Sequence, residues 1–159
     1  MKGNIGGTIT RIGVISDTHG RLAPEIATIF KHIDMILHAG DIDDPEVLKR
    51  LNAIAPVTAV RGNMDRGKWA KTLPKTELIS INDVDFYVLH DLHDLDIDPK
   101  SIGISAVIYG HTHHARITED RHTILINPGS ASLPRKGAAP SVAVISVHRR
   151  RIYPQIFYF

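Results

Sequence analysis

The stretch RIGVISDTHG, Arg11–Gly20, decides the reading of this chain. Its first six residues are mostly apolar and β-branched, without polar alternation. That is the pattern of a strand covered on both faces. The run then stops on Asp17, Thr18, His19 and Gly20. A carboxylate and an imidazole thus stand two residues apart at the strand's carboxyl end. In an extended segment, side chains at i and i+2 project to the same side, so the pair is expected to aim into one site.

The pattern recurs along the chain. MILHA (Met35–Ala39) runs into Gly40 and Asp41. VTAVR (Val57–Arg61) runs into Gly62, Asn63, Met64 and Asp65. FYVL (Phe86–Leu89) runs into His90, and AVIY (Ala106–Tyr109) into Gly110, His111, Thr112 and His113. ILINPG (Ile124–Gly129), VAVISV (Val142–Val147) and the tail RIYPQIFYF (Arg151–Phe159) also read as strands. Pro154 puts the last at an edge, because proline cannot donate to a ladder. Two helical signals separate the early strands. PEIATIFKHI (Pro24–Ile33) sets Ile26, Ile29, Phe30 and Ile33 on one face. DPEVLKRLNAI (Asp44–Ile54) has Asp44 as N-cap, Pro45 in the first helical position, and Val47, Leu48, Leu51 and Ile54 on one stripe. The first half therefore reads β-α-β-α-β, a parallel arrangement. The strand-rich second half, with short turns, is expected to be more antiparallel.

In a parallel sheet the carboxyl ends of the strands share one edge, and ligands bind beyond it. Five segments would bring metal-capable side chains there. Gly20, Gly40, Gly62 and Gly110 would let the chain turn sharply or let backbone approach a ligand. Cysteine is absent, which excludes disulfides, thiolate metal sites and cysteine nucleophiles. Imidazole and carboxylate ligands suit manganese, iron, cobalt, nickel or zinc better than calcium.

The 159 residues are expected to form one domain, residues 1–159, with 43% hydrophobic and 23% charged side chains. No apolar run reaches the roughly 20 residues of a membrane span. MKGNIGGTITR at the start lacks the apolar stretch of a signal peptide, so a cytoplasmic protein without a membrane partner is expected. The net charge of +2 is mild. HRRR (His148–Arg151) and PRKG (Pro134–Gly137) read as solvated turns, and no motif argues for nucleic acid.

Taken in order, SDTHG, HAGD, RGNMD, LHD, YGHTH and NPGS resemble the calcineurin-like metallophosphoesterase superfamily. Within it, the chain is similar to the small single-domain prokaryotic phosphodiesterases, the YfcE-like branch. The resemblance runs from about Gly13 to Ser130. It implies an α/β fold, a sandwich of two mixed β-sheets flanked by helices. It implies two divalent transition-metal ions, manganese foremost, with zinc, iron, nickel or cobalt as other choices. Asp17, His19, Asp41 and His113 would hold the first ion. Asp41 would bridge to the second, completed by Asn63, His90 and His111. Such a centre would hold a hydroxide for in-line attack on a small phosphodiester, with Asn63 also orienting the phosphate. A homo-oligomer, dimer or tetramer, is in keeping with the branch.

Two positions depart from the family's pattern. Many relatives carry histidine where Met64 stands, and a thioether has no proton for a leaving group. Asp65 then reads equally as a loop cap or a catalytic acid. Relatives usually have glycine where Asp91 follows His90. Nearby His93 is a candidate catalytic acid. The alternative function is a non-enzymatic scaffold for protein interaction on the same fold; it is disfavoured because all seven ligand positions carry coordinating residues.

Overall fold

The computed structural model describes residues 8–159. The reading of the N-terminal start therefore lies in part, over residues 1–7, outside the described residues. Among the described residues, ten strands form two five-stranded sheets. The first sheet contains β1 (Thr10–Ile15), β2 (Met35–His38), β3 (Val57–Ala59), β9 (Ser141–His148) and β10 (Arg151–Tyr158), in the order β10-β9-β1-β2-β3. The second contains β4 (Thr76–Ile81), β5 (Val84–Leu89), β6 (Ala106–Ile108), β7 (Arg116–Asp120) and β8 (Thr123–Asn127), in the order β4-β5-β6-β8-β7. Both sheets are mixed. β1, β2 and β3 run parallel, with β9 and β10 added antiparallel.

The main core lies between the sheets. Ile12, Val14, Leu37, Ala143 and Ile145 of the first face Phe86, Val88, Ala106, Ile108 and Ile126 of the second. A second apolar layer covers the outer face of the first sheet, where α1 (Glu25–Ile29) and α2 (Pro45–Asn52) contribute Ile26, Val47 and Leu51 over Ile15, Ile36 and Val144. The early strands are thus buried on both faces, which is why their sequences do not alternate. Over the second sheet the outer layer is not an α-helix. A 3-10 turn (Leu92–Asp94) and the loop after it lay Leu92, Leu95 and Ile97 on Leu89, Val107 and Tyr109.

α2 forms as its sequence dictates: the Asp44 side chain accepts from the Glu46 N–H at 2.9 Å, and Pro45 opens the helix. α1 is shorter than its apolar spacing suggests. After Phe30 the backbone bonds tighten to i→i+3, with Lys31 N–H donating to the Thr28 carbonyl and Ile33 N–H to that of Phe30. The Asp34 side chain, accepting from the Arg11 N–H at 2.7 Å, then draws the chain into β2. The second half is less antiparallel than expected. β5 with β6, and β6 with β8, are parallel pairs. Two strands escape the sequence reading, β4 and β7. Both are edge strands with largely exposed, polar-alternating residues. β4 joins β5 through Asn82 and Asp83, both at positive φ, as a two-residue hairpin requires. Pro154 lies in edge strand β10, as expected.

Phe86 is fully buried in the inter-sheet core. Phe86→Ala is expected to lower the unfolding free energy by about 3–5 kcal/mol, measured by urea denaturation.

Candidate metal centre

The parallel strands end at one edge, and their sequence continuations meet there. Asp17 N–H donates to the Gly40 carbonyl at 3.0 Å, and His19 N–H to that of Asp41 at 3.1 Å, stitching the β1 and β2 loops together. Gly110 N–H does the same to the His90 carbonyl at 2.9 Å between the β6 and β5 ends. The loops are not extended, however. Asp17, His19, Asp41, His111 and His113 all have positive φ, between 45° and 66°. The i, i+2 pairs therefore converge through left-handed backbone, not through strand alternation. Such conformations cost about 1–3 kcal/mol each and persist only where the surroundings enforce them.

Asp17, His19, Asp41 and His113 each bring one ligand atom to within 4.8 Å of the others. The hydrogen bonds on the far side of each ring assign its tautomer. His19 Nδ1 lies 2.9 Å from Asp43 Oδ2, so Nδ1 carries the proton and Nε2 presents a lone pair. His113 Nδ1 donates to the Leu133 carbonyl at 2.7 Å, leaving its Nε2 lone pair as well. These two Nε2 atoms stand 3.2 Å apart. Asp17 Oδ1 is 3.2 Å from the His113 nitrogen, fully buried, and without any hydrogen-bond partner among the described residues. Acceptors facing one another in a buried space repel. A cation among them converts that repulsion into coordination, so the donor set fits a divalent transition metal.

A second group adjoins the first through Asp41. His90 Nδ1 donates to the Ala39 carbonyl at 2.7 Å, which turns its Nε2 toward Asn63 Oδ1 at 2.9 Å and Asp41 Oδ2 at 3.3 Å. His111 Nδ1 lies 3.1 Å from the same Asn63 oxygen. All seven residues expected from sequence are thus gathered, in two groups that share Asp41.

Without a metal, protons take the cation's part. The Asp17 carboxylate, 3.2 Å from its Nε2, raises the His113 pKa. Burial alone would lower that of His90, but the hydrogen bond and charge of Asp41 outweigh it and raise it. Burial would likewise raise Asp41, yet the His90 side chain and the Met64 N–H hold its carboxyl below the usual range.

The supports around these groups were only partly legible. Asp65 turns out to be a clamp. Its carboxylate accepts from the N–H groups of Asp41, Ile42, Asp43 and Gly62, at 2.7–3.1 Å, and so binds the β2 loop to the β3 loop. The NPGS loop braces the other side. The Ser130 hydroxyl donates to the Asp17 carbonyl at 2.8 Å and accepts from the Leu133 N–H, next to the carbonyl that holds His113. Gly62 and Gly110 are required by contact: a Cβ at Gly62 would strike Asp41, and one at Gly110 would strike Ser16 and Asp17. His38 is buried and neutral. Its Nδ1 accepts from the Gly40 N–H at 3.1 Å, its Nε2 faces the Thr18 hydroxyl at 3.0 Å, and burial pushes its pKa down to about 3.

The model of the calcineurin-like phosphoesterase superfamily domain matches residues 10–150. The chain belongs to that superfamily. A probable metallophosphoesterase of Methanocaldococcus jannaschii is 39% identical over 144 residues, covering 82% of this chain and 72% of the relative. A phosphodiesterase of the same organism is 28% identical over 159 residues, covering 88% of this chain and 95% of the relative. Among solved structures, an archaeal phosphodiesterase superposes with a TM-score of 0.75 at 26% identity, covering 93% of this chain and all of that one. Zinc-complexed Vps29 of Entamoeba histolytica gives 0.76 at 20% identity, covering 94% and 99%, a likeness of fold alone.

In this member of the superfamily a cleft of about 610 Å³ opens beside the second group, lined by Arg61, Asn63, Lys75, His90, Asp91 and His111, among others. Met64, next to Asn63 in the chain, is 45% exposed. His93 is not among the lining residues. Its side chain is 90% exposed, and its Nδ1 lies 3.0 Å from Asp91 Oδ1.

Two outcomes are expected. Because His90 and His113 are held above the ordinary imidazole value, metal uptake releases protons, and apparent affinity climbs with pH through and above about 6.5. Calorimetric titrations in buffers of differing ionisation enthalpy measure this. Folding stability of the metal-free protein should also respond to pH. The raised pKa values of His90 and His113 give stability that is present below the unfolded value and lost as pH rises through the folded ones. The lowered value of His38 works in reverse: its contribution is lost as pH falls from about 6.5 toward about 3. Denaturation midpoints across pH, compared with those of His38→Asn, isolate the acid limb.

Proposed function

We propose that this chain is a phosphodiesterase of the superfamily that works with two divalent transition-metal ions, manganese foremost, on small phosphodiesters. The observation that carries the reading is the pair of acceptor groups joined by Asp41, the second of which lines the cleft through Asn63, His90 and His111. Asp17, His19, Asp41 and His113 would hold one ion, and Asp41, Asn63, His90 and His111 the other. Bound there, the ions supply Lewis acidity, neutralising phosphate charge and making an attacking water more acidic.

The protein's own groups do the positioning. Arg61 and Lys75 add positive charge to the cleft wall, where the diester anion enters. The Asn63 amide offers N–H donors to a phosphate oxygen while its Oδ1 faces the two histidines. Met64 has no proton to give the departing oxygen. We assign that donation to His93, whose Nδ1 lies 3.0 Å from Asp91, a residue of the cleft wall. A scaffold on the same fold would have no need of a buried Asp17 oxygen left without a partner.

With manganese added, the purified protein is expected to hydrolyse bis(p-nitrophenyl) phosphate. Asp41→Ala and His111→Ala should reduce turnover at least about 100-fold, and retained turnover after complete metal removal would refute the reading. Arg61→Gln is expected to raise KM more than it lowers kcat, since it acts on substrate binding. His93→Ala should slow alkyl esters more than nitrophenyl esters; equal slowing in steady-state assays would remove its proton-donor role.

A further inference from the structure

The loop after β5 carries a feature that the reading above leaves unused. Asp91 follows the candidate ligand His90. Its two carboxylate oxygens point in different directions. Oδ1 takes the His93 N–H at 3.0 Å and faces His93 Nδ1, also at 3.0 Å. Oδ2 stands 3.5 Å from His111 Nε2. His111 meanwhile turns its other nitrogen, Nδ1, to the Asn63 oxygen inside the second acceptor group.

A ring with an acidic partner on one nitrogen keeps its proton there and offers the other nitrogen as a lone pair. The remaining imidazoles of the centre each have such an outer partner: Asp43 for His19, the Leu133 carbonyl for His113 and the Ala39 carbonyl for His90. For His111 that group, among the described residues, is Asp91. Exposure sharpens the need. The His111 side chain is 39% exposed, against 13% for His19 and His113 and 6% for His90. It is therefore the most exposed of the four rings, and the one whose tautomer and orientation depend most on an outer charged partner.

We infer that Asp91 is a positioning residue of the second metal site: it holds the proton of His111 on Nε2, so that Nδ1 is presented to the ion beside Asn63 and His90. His93 completes the arrangement by fixing the Asp91 carboxylate from its far side. The inference rests on the two-ion reading, and its test includes a measurement that does not.

The test uses the full chain stripped of metal. Asp91→Gly and Asp91→Ser are compared with the wild type by titration with Zn²⁺, following stoichiometry and both affinities. Loss of the outer carboxylate is expected to weaken the second ion about 10–100-fold and to leave the first, held by Asp17, His19, Asp41 and His113, within about 3-fold. Serine separates this role from a merely structural one. It can still cap the 3-10 turn as Asp91 does, but it is too short to reach His111. If Asp91→Ser binds the second ion as the wild type does, Asp91 is only a cap and the proposal fails. Long-range ¹H–¹⁵N correlation spectra of the metal-free protein at alkaline pH give the independent readout. The wild type should show His111 protonated at Nε2, and Asp91→Ser a mixture of tautomers. Identical tautomers in both would overturn the proposal. Uptake of a single ion by the wild type would sink the two-ion reading instead, while the spectra still decide the Asp91–His111 contact.

Discussion

Repulsion between buried acceptors is the constraint around which the rest of the molecule is arranged. Two imidazole lone pairs 3.2 Å apart, beside a carboxylate oxygen that no donor reaches, do not assemble spontaneously. Without a cation or protons they would drive the loops apart. The fold brings them together by force of what lies behind them: an inter-sheet core whose parallel strands β1, β2 and β3 in one sheet, and β5 and β6 in the other, lead into the loops that carry them.

The loops at that edge are where the strain is absorbed. Five of the seven candidate ligands sit in left-handed backbone. Each such residue needs its neighbours to hold it. Asp65 does this from one side with four backbone N–H groups, and Ser130 from the other, while His38 secures the turn at Gly40 from beneath. Gly62 and Gly110 leave room for the carboxylates of Asp41 and Asp17. The site is therefore rigid before any metal arrives, and the histidine tautomers are already chosen by their outer partners. Asp91 extends the same logic to the most exposed ring.

The cleft gives the site its chemical direction. Arg61 and Lys75 lie on its wall beside the second group, while Asp91, Asp94 and Asp96 line it from the loop after β5. A substrate there meets charges of both signs. Membership of the superfamily sets the class of chemistry.

Much of this was legible in one dimension. Apolar runs without alternation mark strands buried on both faces, and the polar residues that end them mark the functional edge. Asp44 and Pro45 declare the start of α2. These signals are local, because periodicity and capping act over a few residues. The edge strands β4 and β7 were not visible, since their exposed faces demand no apolar pattern. Nor was the parallel pairing of β5, β6 and β8, which depends on which strands meet across a crossover. Asp65 could be read as cap or acid, and only the four N–H groups converging on it settle that it is a clamp. Sequence alone thus determined which residue types stand at the strand ends and which chemistry they suit. Tertiary structure alone decided which nitrogen of each ring faces inward, which carbonyl or carboxylate holds it there, and which loops are bound together, because those choices are made by atoms up to about a hundred positions apart, such as Asp17 and His113, that meet only when both sheets have closed.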